Sequence, residues 1–147
     1  MKFSCHKQQL LKIINTVQKA VSSKSIMPIL ECIKIDADAS GNITVTGNNL
    51  DLCVEYNDLC NVTEAGSIAI SSKMFGEIIR RLPDDEVKIS VNEENNVTTI
   101  KCGKSEFNIQ GLSGFEYPSV PEVRENYSFS ISQKALRKMI KKTIFAV

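Results

Sequence analysis

The sequence predicts an α+β fold in which two helices pack on antiparallel sheets, and three observations predict it. Two helix-length apolar stripes stand apart in a chain otherwise made of short alternating strands. The charge is segregated: no acid occurs from Met1 to Leu30 or from Tyr127 to Val147, so all 17 acids lie between Glu31 and Glu125. The beginning of the chain also returns 126 residues later, with Phe3-Ser4 on Phe129-Ser130, Leu10 on Leu136, Lys12 on Lys138, Ile14 on Ile140, Ala20 on Ala146 and Val21 on Val147. A fixed period of this kind marks a chain of similar units.

Residues 2–6 read as a strand with Phe3 and Cys5 on one face. Residues 7–21 read as a helix, because Leu10, Ile14, Val17 and Val21 recur on one side and Gln8, Lys12, Asn15 and Lys19 on the other. Residues 22–28 are a loop carrying Lys24. Ile33, Ile35 and Ala37 alternate with Lys34 and Asp36 as a strand should. Further strands are expected at 43–46, 51–57 and 66–70, with turns at Ser40-Gly41-Asn42 and Gly47-Asn48-Asn49. Ser71 or Ser72 can cap a second helix, which Pro83 stops after Leu82. Its stripe is Phe75, Ile78, Ile79 and Leu82, with Lys73, Glu77 and Arg80 opposite. Strands follow near 86–91, 97–102 and 105–110.

Gly111 to Pro121 reads as a linker, after which a strand near Tyr127 and a basic helix near Gln133 open a second copy. The expected organisation is a first domain at 1–125 and the start of a second at 126–147, a copy that stops unfinished. A strand and one amphipathic helix cannot bury an apolar stripe alone.

Charge narrows the function. Lys2, Lys7, Lys12, Lys19 and Lys24 stand in the acid-free beginning, and Lys134, Arg137, Lys138, Lys141 and Lys142 in the acid-free end. The middle holds eight basic residues against the 17 acids. Such asymmetry suits a polyanion on one face and its repulsion elsewhere.

Catalytic constellations do not assemble. His6, the one histidine, follows Cys5 directly, and neighbours on a strand point to opposite faces. Gly103-Lys104-Ser105 ends like a phosphate loop, but Thr98 stands where the earlier glycine is needed. Asp84-Asp85-Glu86 reads as a solvated turn at a helix exit. Cys5, Cys32, Cys53, Cys60 and Cys102 include no CxxC pair and read as reduced residues packed like small apolar ones. No metal or cofactor is expected. Met1 to Ile14 has neither an apolar core nor a cleavage site, so a cytoplasmic location is expected, with no membrane partner.

Several runs carry a family resemblance: Met1-Lys2-Phe3, Leu10-Leu11-Lys12, Lys24 with Pro28-Ile29-Leu30, Thr46-Gly47-Asn48-Asn49-Leu50, Lys73-Met74-Phe75 with Arg80 and Leu82-Pro83, and Phe115-Glu116-Tyr117-Pro118. In order and spacing the set resembles the beta subunit of bacterial DNA polymerase III. Asn49 stands where an acid is common and Lys24 where arginine is common. The resemblance implies a DNA-clamp fold with three similar domains per chain. Two chains would close head to tail as a homodimer ring around double-stranded DNA, helices lining the hole and sheets forming the rim. Such a subunit is non-catalytic. It is a processivity factor that tethers the replicative polymerase, and polymerase and clamp loader bind a pocket in later domains.

The resemblance puts Lys24 and Lys73 at positions associated with DNA, and periodicity adds Lys12, Arg80 and Lys138. Contacts to phosphate alone make binding sequence-independent and salt-sensitive. Phe107 and Ile109 share one strand face, either as ordinary core alternation or, as the resemblance implies, at the joint between subunits. The competing reading is a non-ring protein-interaction module with incidental basic helices. A third strand-and-basic-helix copy further along a longer parent sequence would separate the two.

Overall fold

The computed structural model describes residues 1–22, 25–119 and 128–146. Lys24 and Tyr127 therefore lie outside the described residues. The first strand and helix form where the alternation and stripe place them: β1 at Lys2–His6 and α1 at Lys7–Val17. α1 tightens into a 3-10 turn at Gln18–Ala20 instead of running on to 21. Four strands follow, β2 at Cys32–Ala37, β3 at Asn42–Asn48, β4 at Cys53–Leu59 and β5 at Asn61–Glu64. Then come β6 at Gly66–Ser71, α2 at Ser72–Arg81, β7 at Glu86–Asn92, β8 at Val97–Cys102, β9 at Ser105–Gln110 and β10 at Leu112–Ser113. α3 spans Gln133–Thr143.

Two antiparallel five-stranded sheets result, ordered β5-β1-β7-β8-β9 and β10-β6-β2-β3-β4. The order discloses an internal duplication. β1-α1-β2-β3-β4 and β6-α2-β7-β8-β9 have the same succession of elements, yet each first strand sits in the other unit's sheet. β1 pairs with β7, and β6 pairs with β2. This exchange knits both units into one core. That cluster takes Phe3 from β1, Leu10, Ile13, Ile14 and Val17 from α1, Ile33 and Ile35 from β2, Phe75 and Ile79 from α2, and Ile89, Ile100 and Ile109 from β7 to β9.

Three expectations are corrected. Gly47 and Asn48 belong to β3, where Gly47 pairs with Ile33 and Val54; the turn lies beyond, at 49–52. Asn48 and Asn49 shape that turn through their side chains, accepting from the amides of Leu50 (2.7 Å) and Leu52 (2.8 Å) respectively. Gly47 is there for close approach, because a Cβ would run into the Val17 carbonyl oxygen at the end of α1. Gly47→Ala is expected to cost about 1–3 kcal/mol by forcing α1 off β3. A urea midpoint equal to that of the parent would show that the helix end yields freely.

The expected linker is docked over its first half. β10 pairs with β6, and Tyr117 is buried, its hydroxyl donating to the Cys32 carbonyl at 3.2 Å. An aromatic anchor overrides glycine- and proline-rich composition here. Finally, Ser128 to Ser132 form no strand, since no strand among the described residues pairs with them. The second copy is otherwise in register. α3 begins and ends 126 residues after α1, Lys7 matching Gln133 and Val17 matching Thr143. The 3-10 turns Gln18–Ala20 and Ile144–Ala146 keep that offset, as do the N-caps His6 and Ser132. Leu136, Met139 and Ile140, which correspond to the buried Leu10, Ile13 and Ile14, are exposed.

Candidate nucleic-acid interface

α1 and α2 lie side by side, each burying one stripe and presenting the other. Ser71 caps α2 through a hydrogen bond from the Met74 amide, and Leu82 ends the helix before Pro83. The cap sets the helix phase, leaving Lys73, Glu77, Arg80 and Arg81 exposed while Phe75 and Ile79 are buried. On α1 and its 3-10 extension, Lys12, Asn15 and Lys19 are exposed. Glu77 is the one acid in α1, α2 and α3 together, so each of these helices is net basic, while most of the other described acids lie in strands and turns.

Arg80 is held rather than loose. Its guanidinium donates to Gln18 Oε1 at 2.9 Å and Asn15 Oδ1 at 3.2 Å, bridging the two helices. Gln18 also donates through Nε2 to the carbonyl of Ser72, the first residue of α2, at 2.7 Å. The amide lies so close to α2 that a Cβ at Gly76 would meet it. Gln18 thereby orients Arg80 from below. Gln18→Ala is expected to lower stability by about 1 kcal/mol. An unchanged thermal midpoint would remove the positioning role.

Lys73 and Arg80 share a shallow concavity with Gln18, Ser72, Glu77 and Glu31. Lys12 takes a different course. Its ammonium sits 5.7 Å from the Tyr56 ring centroid on β4, and the Tyr56 side chain pushes its pKa above the ordinary value. Lys138 is exposed on α3. Lys12, Lys73 and Arg80 thus occur on adjoining helices, while Lys24 lies outside the described residues. Sequence reasoning missed Asn15 and Gln18 as supports and Tyr56 as the Lys12 partner. Each arises from contacts between elements far apart in sequence, for which period along one element gives no signal.

The two joint candidates separate. Ile109 is 1% exposed and belongs to the core, whereas Phe107 is 39% exposed on the same face of β9. β9 is an outer strand, so the core layer thins out towards its end and leaves Phe107 partly uncovered. Ile109 is therefore corrected from a joint residue to a core residue. His6 is exposed at the end of β1 and caps α1, its Nδ1 accepting from the Gln8 amide at 3.4 Å. Asp84 accepts from Gln8 and Glu86 from Ser4, which gives the acidic turn a structural occupation. Among the described residues no cluster of potential ligands is arranged to hold a metal ion, and no helix is long and apolar enough to cross a membrane.

The family model for the DNA polymerase III beta subunit, N-terminal domain, matches residues 1–121. A beta sliding clamp from Halalkalibacterium halodurans is 40% identical, the match covering 100% of this chain and 40% of that protein. The crystal structure of the Bacillus subtilis DNA polymerase sliding clamp superposes with a TM-score of 0.91 at 34% identity, over 99% of this chain and 40% of that one. The Streptococcus pyogenes beta subunit gives 0.91 at 29% identity, over 99% and 39%. The chain thus spans about 40% of the length of these relatives. With a TM-score of 0.91 to a solved sliding clamp and a family-model match over residues 1–121, the chain belongs to the DNA polymerase III beta subunit family.

Proposed function

We propose that this chain is the first domain, residues 1–125, and the opening of the second, from 126, of a ring that encircles duplex DNA and tethers a replicative polymerase. The observation that carries the reading is the helical face: among the described residues each α-helix is net basic, with Glu77 the lone acid, while most of the other described acids lie in strands and turns. A face of this kind attracts phosphate without reading bases, and an acidic rim repels DNA that has not been threaded. The matching offsets of α1 and α3 support a repeated domain. The protein acts in the cytoplasm as a non-catalytic processivity factor, and polymerase and clamp loader dock on later domains.

The sheets suit a ring built edge to edge. Each ends on one long outer strand, β4 in one sheet and β9 in the other, while the opposite edges are the short β10 and β5. Open edges offer unpaired backbone groups and are normally covered. Phe107 on β9 is the anchor proposed for the head-to-tail joint of a homodimer, above a core that includes Ile109.

The test uses the complete protein that contains this chain, placed on closed circular DNA at raised salt. Retention on circles with rapid loss after linearisation is the expected result. Equal, salt-sensitive loss from both forms would mean electrostatic binding alone and would favour a non-ring module.

A further inference from the structure

β1 and β5 run antiparallel, with Phe3 opposite Val62 and Ser4 opposite Asn61. The residues next to that last pair are Cys5 on β1 and Cys60, which stands just before β5 at the corner where β4 of one sheet passes into β5 of the other. Directly opposed residues on antiparallel strands have Cα atoms about 4.5 or 5.5 Å apart, within the roughly 4.4–6.8 Å that a disulfide spans. Continuing the alternation past Ser4 and Asn61 would put the two side chains on one face, and each thiol perturbs the titration of the other. Cys5 lies in the core, and Cys60 packs against it while only partly buried.

We propose that Cys5 and Cys60 form a paired thiol site that a small-molecule disulfide, such as oxidised glutathione, converts into a cross-strand disulfide. The two sulfurs are unequal. The hydrogen bond from Cys5 draws the Cys60 pKa below its ordinary value, although burial and Asp58 push the other way. Cys5 is pushed far up by the same bond and by burial. Cys60, the more accessible of the two, is therefore the attacking sulfur and the buried Cys5 the resolving thiol.

In the first step the Cys60 thiolate forms a bond to one glutathione sulfur. The glutathione disulfide breaks, and one glutathione leaves with the proton that Cys60 gave up. In the second step Cys5 loses its proton and its sulfur attacks that of Cys60. The second glutathione leaves as a thiol. Two protein thiols are oxidised to one disulfide while one glutathione disulfide is reduced to two thiols. The other cysteines are differently placed. Cys32 and Cys102 donate to the carbonyls of Pro28 and Pro83, and burial raises the pKa of Cys32, Cys53 and Cys102. Disulfides in reducing compartments are rare and mostly transient, which fits a pair that rests as thiols.

The test treats the purified, reduced chain with oxidised glutathione, alkylates remaining thiols and maps peptides without reduction. A linked peptide pair joining Cys5 to Cys60 is expected, with Cys32, Cys53 and Cys102 alkylated and the link reversed by dithiothreitol. The thermal midpoint of the oxidised chain should rise by about 5–10 °C, since the bond closes a long loop. Cys5→Ser should stop at a glutathione adduct on Cys60, and Cys60→Ser should give neither adduct nor link. The proposal is overturned if Cys5 and Cys60 of the unaltered chain are both recovered alkylated. An adduct on Cys60 that never resolves, or a link formed only after denaturation, overturns it equally.

Discussion

Phe107→Asp in the complete protein is expected to turn the proposed head-to-tail dimer into monomers whose domains remain folded. Phe107 is 39% exposed on the outer strand β9, so the domain itself invests little in it. A joint formed by adding a strand to that edge would bury the ring, and central aromatic anchors typically cost at least about 2 kcal/mol when truncated. Aspartate adds a carboxylate with no partner in an apolar contact, which costs more again. A head-to-tail pair has two identical joints, so the penalty counts twice. Roughly 4 kcal/mol or more corresponds to about a thousandfold weaker association. Sedimentation at micromolar concentration reads the result directly. Ile109→Asp supplies the contrast, since Ile109 is 1% exposed and a buried charge there should unfold the domain. A Phe107→Asp protein that stays dimeric would move the joint elsewhere. One that unfolds like Ile109→Asp would return Phe107 to the core.

The contrast between these two residues shows what the sequence could and could not disclose. Alternation correctly gave β9 its two faces, but period alone does not say where a core layer runs out. Phe107 and Ile109 share a face and differ only in distance from the edge, which depends on how α2 and β8 cover them. The same limit explains Gly47. A glycine among asparagines has turn composition, and only the approach of α1 to β3 shows that it is needed within a strand. Stripes, caps and stops were legible because they act over one turn of chain: Ser71, Pro83 and the Leu10-Ile14-Val17 stripe each perform the task their spacing implies. The exchange of β1 and β6 between sheets was not legible, because strand pairing is a relation between distant segments.

The basic face was legible in part for the same reason. Lys73 and Arg80 follow from helical period, whereas the Gln18 and Asn15 cradle around Arg80 arises only when two helices meet. The approach of β1 to β5, on which the proposed Cys5–Cys60 pair rests, was invisible to spacing as well, since antiparallel register and not sequence separation brings those strands together.

Lys73→Gln combined with Arg80→Gln in the complete clamp is expected to weaken duplex DNA binding by about tenfold near physiological salt, from roughly 0.7 kcal/mol at each exposed charge. The stronger signature is the salt dependence. Each phosphate contact removed should reduce the slope of log affinity against log salt by about 0.9, so the pair should flatten it by about 1.8. The loss should be the same on any duplex sequence, because charge on a helix face touches phosphate and not base edges. Glu77 supplies a control of opposite sign. It is exposed between the two bases on α2, so Glu77→Gln should tighten binding without changing the fold. Gln18→Ala, which frees Arg80 while keeping its charge, should weaken binding less than Arg80→Gln and leave the slope nearly intact. Equal slopes for parent and double variant would show that DNA does not run along α1 and α2. The charge segregation would then have to act through Lys24 or through the α3 face that carries Lys138.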